Sequence, residues 1–416
     1  VPEIGLKKMH TPSSQSKQKK TAETWCVDLS ECWRVPGLPS VWCERMQSED
    51  VLLGRTGNHH EELANKEWMN LKIPVKLKTH SEKKPWGREI WYTGIEKRGV
   101  CEVEWHTKET LSLPSYLSLL SGKEGCENGQ LKAPSLLKIL DPLPEPERGC
   151  LYIELHKEKW ETYVVTSVDS NAWPNGIGEI IFGFSELKLT DNNGDKDIFL
   201  AALQKQISEY EKVRRQIDAD PSYLTSGVWA ENEKKLWQSV RSYFGIRKVR
   251  VGDVIEVPPF TPHSLQNGVR VVEFQTPTYE RLILAFNQKV QTQEHWDTAE
   301  ALSQAHFNVP QVHPETRIKN TPEADPNEKY WQCIVDFPGF KVQRMELAAE
   351  QSVPLDLASR SHVSLLFVVL GSVLVESESH DTLLELGSEE AALFPEVGLP
   401  VRIKAADGGP AVVLFV

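Results

Sequence analysis

Two stretches of this 416-residue chain carry side chains able to hold a divalent cation. The first runs Glu154-Leu155-His156-Lys157-Glu158-Lys159-Trp160-Glu161. Residues two apart on a strand face the same side, so Glu154 and His156 should project together. After a short turn, Glu161 can return on the neighbouring strand. The second stretch runs from Gly252-Asp253 through Pro258 to His263 and Asn267. A glycine turn there feeds a strand, a proline-rich bend follows, and His263 emerges after it. Two imidazoles and two carboxylates suit Zn²⁺, and also Mn²⁺, Fe²⁺ or Co²⁺. They leave a dication site formally neutral, with room for a water or a substrate oxygen. Either histidine alone reads as a structural residue. Set together in these contexts, Glu154, His156, Glu161 and His263 form the candidate metal set.

The other histidines lack such company. His59 and His60 are adjacent, so regular structure points them to different sides, and no carboxylate spacing supports them. They read as surface residues, as do His80, His106, His295, His306, His313 and His362.

The elements that must position the set are short strands. Ile90–Tyr92, Val100–Trp105, Leu136–Leu140, Leu151–Leu155, Tyr163–Val168 and Glu179–Phe184 are rich in β-branched and aromatic residues between turn signals. Strands resume at Lys248–Val257 and Arg270–Gln275. Between the two runs, Ile198, Leu200, Leu203, Ile207 and Tyr210 recur at helical spacing, as do Leu236, Val240 and Tyr243. The spacing therefore predicts a helical insertion over 195–245 within a metal-binding β domain formed by 81–194 and 246–307. A polar segment, 308–328, reads as a linker, and 329–416 again reads as short strands of a second barrel. Residues 1–80 are an extension of unassigned role, with a helix-like Glu61–Trp68. The expected fold is mainly β: two jelly-roll-like barrels with an inserted helical segment.

Composition narrows the function classes. The net charge of −12 argues against nucleic-acid binding through bulk charge. Seven scattered cysteines form no CxxC pair, which argues against a zinc–thiolate site and fits reduced thiols in cytoplasm. No apolar run is long enough to span a membrane and no secretion signal is read, so no membrane partner is expected.

The two stretches resemble the paired motifs of the cupin superfamily, HxH followed by Glu and GDxxxxPxxxxH followed by Asn. The second match holds Gly252, Asp253, Pro258, His263 and Asn267 in register; in the first, Glu154 stands where a histidine is usual. The order of further motifs resembles type I mannose-6-phosphate isomerases. These are Lys84-Pro85-Trp86-Gly87, Leu137-Lys138-Ile139-Leu140-Asp141, Glu273-Phe274-Gln275, and Thr278-Tyr279-Glu280-Arg281. The chain departs from that family in several places. Its metal-binding glutamine is Glu154 here, its proline after the histidine is Lys157, and the stretch between metal His and Glu is cut to four residues. The arginine after Thr-Tyr is displaced by one, and the spacing from Gln275 to Arg281 is shorter than usual.

The resemblance implies two cupin barrels, the C-terminal one without metal ligands, and one divalent metal ion, with zinc the expected choice. It implies aldose–ketose isomerisation of a phosphosugar, mannose 6-phosphate to fructose 6-phosphate, through a metal-stabilised enediolate. Arg281, Lys138 and Glu273 are then the catalytic and substrate-side candidates, with Glu273 moving a proton or holding Arg281. Lys84 and Arg88 are further phosphate candidates. Two other classes stay open: a metal cupin such as an iron dioxygenase, and a non-catalytic sugar-phosphate-binding protein. Oligomeric state is not readable from the sequence.

Overall fold

The computed structural model describes residues 69–95, 99–105, 109–121, 134–225, 227–307, 331–355, 357, 363–395, 398 and 400–416, with short backbone stretches at 6–7, 26–27, 41–45, 52–56 and 131–132. The helix-like Glu61–Trp68, the His59-His60 pair, His106, His313, His362 and the linker 308–328 lie outside these residues. The chain divides into two compact units. One comprises Ser81–Ile90 and Lys138–Arg317; the other comprises Val1–His80, Trp91–Leu137 and Ile318–Val416.

The first unit is built from two antiparallel sheets. In the six-stranded sheet the order is Val254–Val257, Glu161–Val168, Val269–Gln275, Leu136–Pro142, Gly87–Trp91 and His80–Lys84. In the five-stranded sheet it is Phe244–Val249, Gly178–Phe184, His263–Leu265, Ile153–Leu155 and Leu282–Ala285. Both sheets turn alternate apolar residues into one core, where Tyr163, Val165 and Val271 of the first meet Ile153, Ile180, Leu265 and Ile283 of the second. Several strands are buried nearly throughout, including Leu136–Pro142, Val269–Gln275 and Leu282–Ala285, so both of their faces are covered. Neither sheet closes on itself into a barrel among the described residues.

Two readings of this unit are corrected. Lys248–Val257 is not one strand but parts of two, Phe244–Val249 and Val254–Val257, which lie in different sheets. Gly252 (φ +90°) turns the chain between them, and the Arg250 N–H donates to the Asp253 carboxylate at 2.8 Å to hold the turn. In the helix Lys196–Ala219, the buried face is Phe199, Leu203, Ile207, Tyr210 and Ile217, while Ile198 is 51% exposed. Asp195 starts the helix, its carboxylate accepting from the N–H groups of Asp197 and Ile198, and packing on the core selects the Phe199 face.

The second unit has an eight-stranded and a four-stranded antiparallel sheet around its own apolar core, which includes Met345, Leu366, Val375, Phe394, Ile403 and Phe415. Val75–Lys78 pairs with Ala391–Phe394 and with Glu102–Trp105 in the eight-stranded sheet. Residues 91–137 therefore group with the C-terminal unit, whereas the sequence had grouped them with the metal-binding domain. No helix among the described residues is long and apolar enough to cross a membrane.

The Lys84-Pro85-Trp86-Gly87 motif has a packing role in the first unit. Trp86 is buried, and its carbonyl accepts from the Leu143 N–H at 2.9 Å. Gly87 has φ +149°, and a Cβ there would lie 2.2 Å from the Asp141 carbonyl oxygen. Gly87→Ala should therefore cost about 2–3 kcal/mol of stability in urea denaturation. Gly194→Ala, with positive φ but open space around it, should cost no more than about 1 kcal/mol.

Candidate metal centre

Strand register brings the two sequence stretches together. Glu154 lies directly across from His263 in the five-stranded sheet, and His156 follows at the end of the same strand. Glu154, His156 and His263 each bring one donor atom to within 4.8 Å of one another. Glu161 completes the set from the opposite side. Its Oε1 is 3.2 Å from His156 Nε2 and its Oε2 is 3.2 Å from His263 Nε2. The sequence reading had placed Glu161 on the neighbouring strand of the same sheet. It instead starts a strand of the six-stranded sheet, because residues 156–160 carry the chain across the gap between the sheets. Facing sheets stand roughly 10 Å apart, a distance five residues span easily.

Backbone carbonyls orient both imidazoles. His156 Nδ1 is 2.9 Å from the Glu280 carbonyl, and His263 Nδ1 is 2.9 Å from the Thr261 carbonyl. A carbonyl can only accept, so each Nδ1 carries the proton and each Nε2 is left with its lone pair aimed at the centre. This is the arrangement that prepares a histidine for ligation.

The electrostatics agree at His156 and Glu161. Burial holds the His156 imidazole below its ordinary pKa against the pull of Glu161, and neighbouring Lys159 helps, so the ring is neutral. Burial works against charge on Glu161, but His156 and Lys159 outweigh it and keep the carboxyl well below the usual carboxylate range. Burial likewise disfavours charge on His263, yet the Glu161 and Glu154 carboxylates raise its pKa overall. A metal requires neutral imidazole and ionised carboxylate; His156 and Glu161 are shifted that way, whereas on His263 a cation would have to displace the proton that the carboxylates attract.

Three buried donor atoms nevertheless have no hydrogen-bond partner: His156 Nε2, His263 Nε2 and Glu154 Oε2. The two histidine nitrogens lie 3.2 Å from Glu161 oxygens, but with the ring protons on Nδ1 neither side has a hydrogen to share. Leaving such groups unsatisfied costs about 1–3 kcal/mol each. A divalent cation among them would satisfy all three, and two imidazoles with two carboxylates are a fitting donor set.

The remaining candidates divide. Lys138 and Glu273 lie on adjacent strands of the six-stranded sheet, both buried, with Nζ and Oε2 3.5 Å apart. Burial alone would lower the Lys138 pKa, but Glu273, Glu89, Glu161 and Glu154 raise it, so it stays cationic. Burial pushes the Glu273 carboxyl up to about 8, partly offset by Lys138. Arg281 stacks over Tyr152 at 4.5 Å and donates to Thr292, so Glu273 is paired with Lys138 here and not with the arginine. Arg88 is held on Asp141 at 2.7 Å and Lys84 stands 3.7 Å from Glu89.

Several contributing residues were not singled out from the sequence. Lys159 is buried, and its ammonium is 2.7 Å from Glu161 Oε1. Tyr163 donates to Glu161 Oε2 at 3.0 Å. Gln275 lies directly across from Glu161; with its amide nitrogen turned toward the carboxylates it donates to Glu161 and Glu273 at 3.1 and 3.2 Å. The available signal was the alternation Lys159, Glu161, Tyr163, three polar residues at strand period on one face.

Solved structures of phosphomannose isomerases share this fold. A mannose 6-phosphate isomerase from Bacillus subtilis matches with a TM-score of 0.55 at 17% identity, over 83% of this chain and 99% of its own. A phosphomannose isomerase variant from Salmonella typhimurium matches with a TM-score of 0.56 at 14% identity, over 82% and 99%. A zinc-bound mannose 6-phosphate isomerase matches with a TM-score of 0.56 at 13% identity, over 82% and 99%. At these identities the likeness is one of fold. No protein-family model and no curated protein matches the chain.

Glu273 keeps its proton to higher pH in the folded chain than in the unfolded one, where the ordinary value is 4.5. The folded state therefore gains at low pH, and this contribution is lost as pH rises from about 4.5 to about 8. Urea denaturation of the metal-free protein across that range should show the loss, and Glu273→Gln should flatten it.

Proposed function

We propose that this chain is a metal-dependent aldose–ketose isomerase acting on a phosphosugar of the mannose 6-phosphate type. The observation that carries the reading is the convergence of orphaned donors from Glu154, His156 and His263 on one point, faced by Glu161, beside the buried Lys138–Glu273 pair. The shared fold with phosphomannose isomerases supports it.

Glu154, His156, Glu161 and His263 would hold one divalent ion, zinc by the likeness to the zinc-bound structure. When bound, such an ion supplies Lewis-acid stabilisation for charge developing on the sugar oxygens at C1 and C2. The chain's own groups do the rest. Isomerisation takes a proton from the carbon beside a carbonyl and returns one to the next carbon, so it needs a group that changes protonation near neutral pH. Glu273, with its pKa raised to about 8, is suited to carry that proton. Lys138 stays charged beside it and favours negative charge on the substrate oxygens. Arg281, half-buried against Tyr152, is the candidate for the phosphate, because a guanidinium engages phosphate with forked donors.

The mutually close set of two histidines and one carboxylate also fits the ligand triad of non-haem iron oxygenases, and this favours that class as the second reading. Neither Lys138 nor Arg281 has a task there.

A coupled assay with mannose 6-phosphate on zinc-loaded protein tests the proposal. Turnover is expected, with Lys138→Ala and Glu273→Gln each lowering kcat about 10²- to 10⁴-fold. Arg281→Ala should act mainly on KM. Purification with iron, O₂ consumption, and indifference to Arg281→Ala would instead establish the oxygenase reading. Metal bound without turnover of any phosphosugar would leave a binding protein.

A further inference from the structure

Two chain crossings run side by side at the candidate metal centre. Residues 156–160 lead from Leu155 in the five-stranded sheet to Glu161 in the six-stranded one. Residues 276–281 lead back from Gln275 to Leu282. Leu155 pairs with Leu282 at one end and Glu161 with Gln275 at the other, so the crossings share both anchor points and must have similar lengths. They have five and six residues.

These crossings also contain departures from the isomerase pattern: the shortened stretch after His156, the shortened spacing from Gln275 to Arg281, and within it one extra residue between Thr278-Tyr279 and Arg281. That extra residue is Glu280. Its carboxylate Oε1 accepts the backbone N–H groups of Lys157 at 2.7 Å, Glu158 at 3.0 Å and Lys159 at 3.3 Å. Three successive N–H groups converging on one oxygen form a nest for an anion. Its carbonyl oxygen receives His156 Nδ1. At the far end of the crossing, Thr276 clamps Trp160, donating from its N–H at 3.0 Å and accepting at its hydroxyl at 3.2 Å.

We propose that Glu280 is a positioning residue for the metal site and that it compensates for the shortened crossing. The short segment lacks the residues to fold on itself and leaves three backbone donors to be satisfied. One carboxylate gathers them, sets the path from His156 to Glu161, and with its own carbonyl fixes the ring of His156. Glu280 thus holds two of the four candidate ligands through a single residue. The inference rests on the metal reading given above and adds a residue to it.

The test uses the full chain, with Zn²⁺ affinity measured by competition against a chelator and Co²⁺ loading followed by visible absorption. Glu280→Ala should weaken Zn²⁺ binding about 10- to 100-fold, as loss of an orienting partner does, and should alter the Co²⁺ spectrum. Glu280→Gln keeps an oxygen acceptor without the charge and should recover part of the loss. Glu300→Ala removes only the exposed partner of Lys157 and should leave both readouts unchanged. Amide hydrogen exchange on metal-free protein adds an independent readout: Glu280→Ala should speed exchange at residues 157–159. Should Glu280→Ala not fold, Glu280→Gln carries the same comparison. Zn²⁺ affinity within twofold of wild type, an unchanged Co²⁺ spectrum and unchanged exchange would overturn the proposal while leaving the metal reading intact. Wild-type protein that takes up no metal would overturn both.

Discussion

Two carboxylates and two imidazoles set close together in a protein interior demand a positive charge among them. Glu161, His156 and His263 are each about 2% exposed or less, and an apolar core lies beneath them. Removing ionised carboxylates from water is expensive unless they are paired. Lys159 and Lys138 supply part of the compensation, to Glu161 and to Glu273. They leave the imidazole Nε2 atoms and one oxygen of Glu154 without partners. The rest of the unit is arranged so that these unsatisfied atoms face one another, and a divalent cation is the proposed remedy.

The arrangement follows from topology. One sheet supplies Glu154, His156 and His263 through a strand pair in fixed register. The other supplies a polar ladder on a single face, with Glu161 across from Gln275 and Tyr163 across from Glu273. One step further along the strands the same face becomes apolar at Val165 and joins the core. Strand period thus places the polar cluster and the apolar core on the same few strands, and the crossings 156–160 and 276–281 join the two sheets beside it.

Much of this could be read from residue order because it is local. The Gly252-to-Asn267 stretch announces turn, strand, bend and ligand in sequence. Asn267 proves to anchor the loop before the strand Ile153–Leu155, donating to the Pro144 carbonyl at 2.7 Å. What the sequence hid depends on which sheet a strand joins. Glu161 looks like the return of a hairpin, and only the crossing sends it to the opposite sheet. Lys248–Val257 looks continuous because both of its halves are β-branched, although Gly252 splits it. Ile198 fits the helical spacing as well as Phe199 does, and only packing on the core shows that Phe199 is the buried one. Gln275 and Glu280 act on residues more than a hundred positions away, which leaves no mark in composition or spacing, and Lys159 shows only in its alternation with Glu161 and Tyr163.

Anomalous X-ray diffraction at the zinc edge, on crystals grown with Zn²⁺, addresses the central claim most directly. The account predicts one strong peak in this unit, about 2.0–2.2 Å from His156 Nε2, His263 Nε2 and oxygens of Glu154 and Glu161. Crystals with no peak there, or with zinc bound only at other side chains, would contradict it.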